Sequence, residues 1–161
     1  MLRYLLILST LFVSCKTTTY YIVRHAEKEV ASGAAMSGDV PLSAAGQARA
    51  MSLKEQLNGK VQRIYSTNFT RTKNTAQPLA TAVGVTVETY DPRDTGFVSR
   101  LRGRNEKGIL VVGHSNTVDD LVNGLLQRKE LTDLPETQYG DLFIIKKKKN
   151  NVSLTRSRFG E

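Results

Sequence analysis

Within this sequence "YYIV" at residues 20–23 and "GILVVG" at residues 108–113 run apolar without polar interruption. A strand with one wet face alternates apolar and polar residues. An unbroken β-branched, aliphatic and aromatic run therefore marks a strand buried on both faces. Strands of this kind need helices on both sides of a mostly parallel sheet, and helical patterns do separate them. Residues 42–59 carry Ser43 as an N-cap, an Ala-rich middle and Gly59 where a helix stops. "RIYST" at residues 63–67 reads as a second strand, and "TRTKNTAQPLATAVG" at 70–84 as a helix that Pro78 should kink or divide. "VTVETY" at 85–90 reads as a third strand, closed by Asp91-Pro92, and a short helix is expected within 95–105. Beyond "GILVVGH", Val118, Leu121, Val122, Leu125 and Leu126 recur at helical spacing, with Asn116 or Thr117 as cap and Asp119 or Asp120 in the first turn. The tail reads as two strands turning at Asn150-Asn151. The expectation is α/β: a three-layer α/β/α sandwich with a largely parallel central sheet and a C-terminal hairpin.

The 161 residues suit one domain with a sizeable core. A formal net charge of +8 favours anionic partners without choosing among them. The start, "MLRYLLILSTLFVSCK", places one cation, Arg3, before an apolar stretch at residues 4–13 that is too short to span a bilayer. The one cysteine of the chain, Cys15, ends it. The pattern resembles a bacterial lipoprotein signal, which implies a signal peptide at 1–14, lipidation of Cys15, a short spacer at 15–19 and a domain at 20–161. An ordinary cleaved signal and an apolar first strand are the competing readings. The resemblance implies a place in the bacterial cell envelope, anchored to a lipid membrane on its periplasmic or surface side.

His25 directly follows one buried strand and His114 another, 89 positions on. In open parallel sheets ligands bind beyond the carboxyl ends of strands, so two distant histidines can share one crevice. Arg24 precedes His25, Arg71 opens the helix after "YST", and Asp91 ends the third strand. Two permanent cations make a site for a dianion such as a phosphoryl group. An imidazole among such cations stays neutral and nucleophilic, and the second can steady the oxygens of the group in transfer.

"YYIVRHAEK", "YSTNFTRTKNTAQPLA" and "VVGHSNTVDDLV" together resemble the histidine phosphatase (phosphoglycerate mutase-like) superfamily, in its short single-domain form. The resemblance covers about residues 20–126. It implies His25 as the phosphorylated nucleophile and Arg24, Arg71 and His114 as the rest of the phosphate pocket. Ala26 stands where Gly is commonest. The proton donor of the family has no clear counterpart: Asp91 is best placed, with Asp94 and Glu27 behind it, or no dedicated acid at all. The implied activity is a metal-independent phosphatase acting on phosphomonoesters or phosphohistidine through a phosphohistidine intermediate. A mutase-like phosphotransferase and a non-catalytic phosphate-binding lipoprotein are the rivals. Expected partners are a small phosphorylated substrate or phosphoprotein and the lipid membrane, with no cofactor.

No G-x-S-x-G elbow, P-loop or G-x-G-x-x-G occurs, and two His with one Cys make no credible zinc set. The run Lys146 to Lys149 reads first as a solvated hairpin whose charge discourages edge pairing, and second as a contact for anionic lipid. Nucleic-acid binding is not expected, because the basic residues lack interleaved aromatics.

Overall fold

The computed structural model of the chain describes residues 16–29 and 38–160. The elements run β1 (Thr17–Arg24), α1 (Ala44–Leu57), β2 (Arg63–Ser66), α2 (Thr70–Val83), β3 (Val87–Thr89), α3 (Phe97–Arg102), β4 (Gly108–Gly113), α4 (Val118–Leu126), β5 (Asp141–Lys148) and β6 (Asn151–Arg158). One sheet holds all six strands in the order β3-β2-β4-β1-β5-β6. The first four are parallel, while β5 runs antiparallel to β1 and β6 antiparallel to β5.

The pleat sorts the apolar runs into two cores. Tyr20, Ile22, Ile109 and Val111 face Phe97, Leu101, Val118, Leu121 and Leu125 of α3 and α4. Their neighbours Val23, Leu110 and Val112, with Ile64, face Leu53, Leu57, Leu79 and Ala80 of α1 and α2. Every residue of β4 is buried. That is the demand the unbroken apolar run made: with period-2 side chains, both faces need a helical layer. Truncating one such side chain, Leu110→Ala for instance, should cost about 2–5 kcal/mol.

Four local expectations are corrected. β1 begins at Thr17, inside the segment read as a spacer, because β5 supplies partners: Thr17 to Thr19 face Lys148 to Lys146. Pro78 lies inside α2 without dividing it; its missing N–H leaves only the Asn74 carbonyl without its helical donor. The third strand shortens to Val87–Thr89, and the hairpin turns on Lys149 and Asn150, Lys149 taking a positive φ of 54°. The short helix expected within 95–105 is present as α3. The expected signal peptide at 1–14, Cys15 and residues 30–37 lie outside the described residues.

Candidate active site

The ladder of β1 and β4 continues one residue past the strands, where the His25 amide donates to the Gly113 carbonyl at 2.9 Å. This puts both histidines at the carboxyl edge of adjacent strands, their rings edge to face with centroids 5.4 Å apart. Gly113 is required here by space: a Cβ would lie 2.9 Å from Thr117 Oγ1 and 3.1 Å from the Tyr90 hydroxyl. His114, with Arg71, Phe69, Lys28, Ser115 and Glu136, shares with His25 an open hollow of about 620 Å³.

His25 is 4% exposed. Its Nδ1 lies 2.7 Å from the carbonyl of Ala26. A carbonyl only accepts, so Nδ1 carries the proton and Nε2 keeps its lone pair. Burial, aided by the fields of Arg24, His114 and Arg71, holds the ring's pKa down at about 4 despite that hydrogen bond. His114 is likewise held at about 4, by burial and then by Arg71 and Arg24. Both imidazoles are therefore neutral at pH 7.

Threonines on and just before α2 brace both histidine segments from one buried face. Thr67 Oγ1 meets His114 Nε2 at 2.8 Å and Thr72 Oγ1 at 2.9 Å. One turn on, Thr75 accepts from the Ala26 amide at 2.9 Å and donates to the Arg71 carbonyl. Ala26 packs its methyl against Leu42 and Ala50, which accounts for Ala where Gly is commoner. Thr72 and Thr75 are three apart in "TRTKNT", so the helical period that predicted α2 also carried this signal.

The two guanidinium groups are held differently. Arg24 is 3% exposed; its Nη1 donates to the carbonyls of Pro135, Glu136 and Gln138, and its Nη2 donates to Glu136 Oε2 at 2.6 Å. Tyr139 lies beneath it, 4.3 Å from ring centroid to Cζ. Arg71 stacks on Phe69 at 4.4 Å, with Asp39 3.9 Å away. In both arginines the Nε is buried and has no hydrogen-bond partner among the described residues. Buried guanidinium donors are costly unless something accepts from them, and an oxyanion would.

The carboxylates fall elsewhere than expected. Asp91 turns back to accept from the Arg93 amide, and it lines the neighbouring hollows around Tyr90 rather than the one around His25. Asp94 pairs with Arg100 and accepts from the Gly96 amide. Glu27 points away into a bidentate pair with Arg49, at 2.7–2.9 Å. Two carboxylates do line the histidine hollow: Asp120 of α4, and Glu136, held by Arg24 and by the Ser115 hydroxyl. Glu136 and Tyr139 belong to a loop 112 or more positions from Arg24, with no periodicity to mark them. Hydrogen bonding from Ser115 keeps the Glu136 pKa below its ordinary value, and the charge of Arg24 adds to this. Among the described residues no three His, Cys, Asp or Glu side chains form a metal-ligand group.

Residues 20–93 match the model of the histidine phosphatase superfamily (branch 1). No curated protein matches the chain in sequence. Among solved structures, the protein histidine phosphatase SixA complexed with tungstate is similar, at 17% identity and a TM-score of 0.70, covering 88% of this chain and 97% of that one. A mycobacterial glucosyl-3-phosphoglycerate phosphatase is similar at 14% identity and a TM-score of 0.66, covering 90% of this chain and 99% of that one. A phosphoserine phosphatase mutant from Entamoeba histolytica, in complex with phosphoserine, is similar at 18% identity and a TM-score of 0.64, covering 89% and 97%. These likenesses carry the histidine phosphatase fold over nearly the whole chain. The neighbours are phosphatases of differing substrates.

Proposed function

We propose that this chain is a phosphatase that hydrolyses phosphomonoesters or phosphohistidine through a phosphohistidine on His25. The observation that carries this reading is the pair of buried, unpartnered Arg24 and Arg71 Nε–H groups beside two neutral imidazoles. Oxygens of a phosphoryl group would accept from those donors, and the charge would come from the two guanidiniums. His25 Nε2 gives its lone pair to phosphorus as the bond to the leaving group breaks, and that group departs with the electron pair. His114, held through Nε2 by Thr67, keeps Nδ1 to donate to a phosphoryl oxygen. Water then attacks phosphorus, the P–N bond breaks, a proton is released to solvent, and inorganic phosphate leaves.

Of the two carboxylates on the hollow, Asp120 and Glu136, the second is held below the ordinary carboxylate pKa by Ser115 and Arg24. Aryl phosphates and phosphohistidine, whose leaving groups need the least help from a proton donor, suit the site best. The similar SixA structure holds tungstate, an oxyanion of the same shape class as phosphate. A mutase would need to retain the phosphoryl group, and the openness of the hollow favours water instead.

The test is release of phosphate from an aryl phosphate and from a phosphohistidine peptide in EDTA, with His25→Ala alongside. Wild type should turn over and form an acid-labile phosphoenzyme, and His25→Ala should lose at least a thousandfold. Equal rates would overturn the nucleophile, and a wild type that binds phosphate without turnover would favour the non-catalytic reading. For location, we propose lipidation at Cys15 and an envelope address, supported by the apolar run at residues 4–13 that precedes it. Labelling with a radioactive fatty acid, lost in Cys15→Ser, checks this.

A further inference from the structure

We infer that the end of the domain opposite the histidine hollow is a surface that binds anionic lipid headgroups. The register defines that end. β5 runs away from the hollow, so Lys148 stands opposite Thr17, where the described chain begins, and Lys146 stands opposite Thr19. Lys107 arrives there from the other side, its carbonyl accepting from the Thr19 amide at 3.0 Å. Lys60 also lies there, its carbonyl packed against Gly108. Lys16, Lys60, Lys107, Lys146, Lys148 and Lys149 are all exposed.

An ordinary explanation for a lysine run is protection of a sheet edge. Here it fails, because β5 is interior: β1 pairs it on one side and β6 on the other. Nor do the lysines serve ion pairs. Their cross-strand partners are Thr19, Thr18 and Thr17 on β1 and Ser153, Val152 and Asn151 on β6, without one carboxylate. Among the described residues none of Lys146 to Lys149 has a salt bridge. Lys147 donates instead to the Arg102 carbonyl. Glu106, next to Lys107 in sequence, is already held by Arg63. The end is thus a concentration of positive charge with no internal purpose.

The occupant follows from where the apolar segment enters. Residues 4–13 are a lipid-compatible stretch apart from the hydroxyls of Tyr4, Ser9 and Thr10, and two residues after Cys15 the chain is already in β1. Whatever holds that stretch at a bilayer holds this lysine face against it. The acidic headgroups of a bacterial leaflet would then meet the lysines, while His25 points away at the far end of an eight-residue strand, roughly 25 Å distant. With a Debye length of about 8 Å, the surface field scarcely reaches the hollow. Binding and turnover should therefore separate. Nucleic acid, the other polyanion, lacks aromatic platforms on this face.

The experiment sediments the full chain with vesicles of phosphatidylcholine alone and with vesicles containing about a third phosphatidylglycerol. Each lysine near an anionic surface contributes roughly fivefold to partitioning. Wild type should prefer the anionic vesicles by more than about twentyfold, a preference that about 0.5 M salt removes. K146Q/K147Q/K148Q/K149Q should lose at least about tenfold of it, and the same four positions changed to Arg should keep it. An unchanged preference in the Gln variant, or its loss in the Arg variant, overturns the inference. So does a wild type that binds a short DNA duplex tightly and shows no vesicle preference. Aryl phosphate hydrolysis should match wild type in both variants and reports that they fold. Absent turnover in all proteins, with the vesicle preference intact, would strike the catalytic reading alone.

Discussion

The chain has two histidines, and both belong to the hollow, so each can be followed without assignment ambiguity beyond a single substitution. Burial comes first among the causes that hold His25 at about 4, followed by the fields of Arg24, His114 and Arg71. The gap from the ordinary histidine value is worth roughly 3 kcal/mol at 1.36 kcal/mol per pH unit. The sign follows from linkage. Between about 6.5 and about 4 the unfolded ring takes a proton that the folded ring refuses, so stability rises with pH across that window. It is fully present above the upper value and is lost as pH falls toward the lower one, and His114 adds in the same direction. Proton NMR of the ring Cε1–H signals from pH 8 to pH 3.5 should show no titration near 6.5. Urea unfolding at a series of pH values should show the stability slope, and His25→Ala should remove a large part of it. Adding inorganic phosphate should raise the apparent pKa of both rings, because a dianion favours imidazolium. A His25 signal that titrates near 6.5 in the folded protein would refute the account of a neutral nucleophile held among cations.

Four further outcomes are expected. Thr67→Val removes the hydroxyl on His114 Nε2 and should lower kcat about ten- to a hundredfold, with the His114 ring signal shifted and stability little changed. Glu136→Gln frees Arg24 of its carboxylate, so competitive inhibition by inorganic phosphate should tighten several-fold with kcat on an aryl phosphate retained; a collapse of kcat would instead make Glu136 a catalytic group. Gly46→Ala would set a Cβ 2.1 Å from the Glu27 carbonyl oxygen, a backbone atom, and should cost about 1–3 kcal/mol, seen as a Tm lower by several degrees. Glu27→Gln should lower thermal stability through its lost pair with Arg49 while leaving turnover of an aryl phosphate unchanged, which separates a structural carboxylate from a proton donor.

The layers of the fold were legible because burial on two faces leaves an unmistakable mark: "GILVVG" can only be a strand covered twice. The edge at which Arg24, His25, Arg71 and His114 meet was legible for the same reason, since each follows or opens an element whose direction the parallel sheet dictates. The placement of the carboxylates was not. Asp91 follows the third strand, where topology aims it at the crevice, yet a two-residue turn to Arg93 spends its carboxylate on a local amide. Loop geometry of that kind depends on dihedrals that residue type constrains only weakly. The lysine run misled in the opposite way: read alone it guarded an edge, and strand order moved it to the interior of the sheet.

By itself, then, the sequence determined the three layers and the parallel order of chemistry at one edge, where Arg24, His25, Arg71 and His114 gather, because those depend on local hydrophobic period and chain direction. Tertiary structure alone decided that Glu136 and Tyr139 hold Arg24, that Thr67 and Thr75 orient the site, and that Glu27 belongs to Arg49. Those contacts join residues up to 115 positions apart through side chains whose meeting no local period encodes.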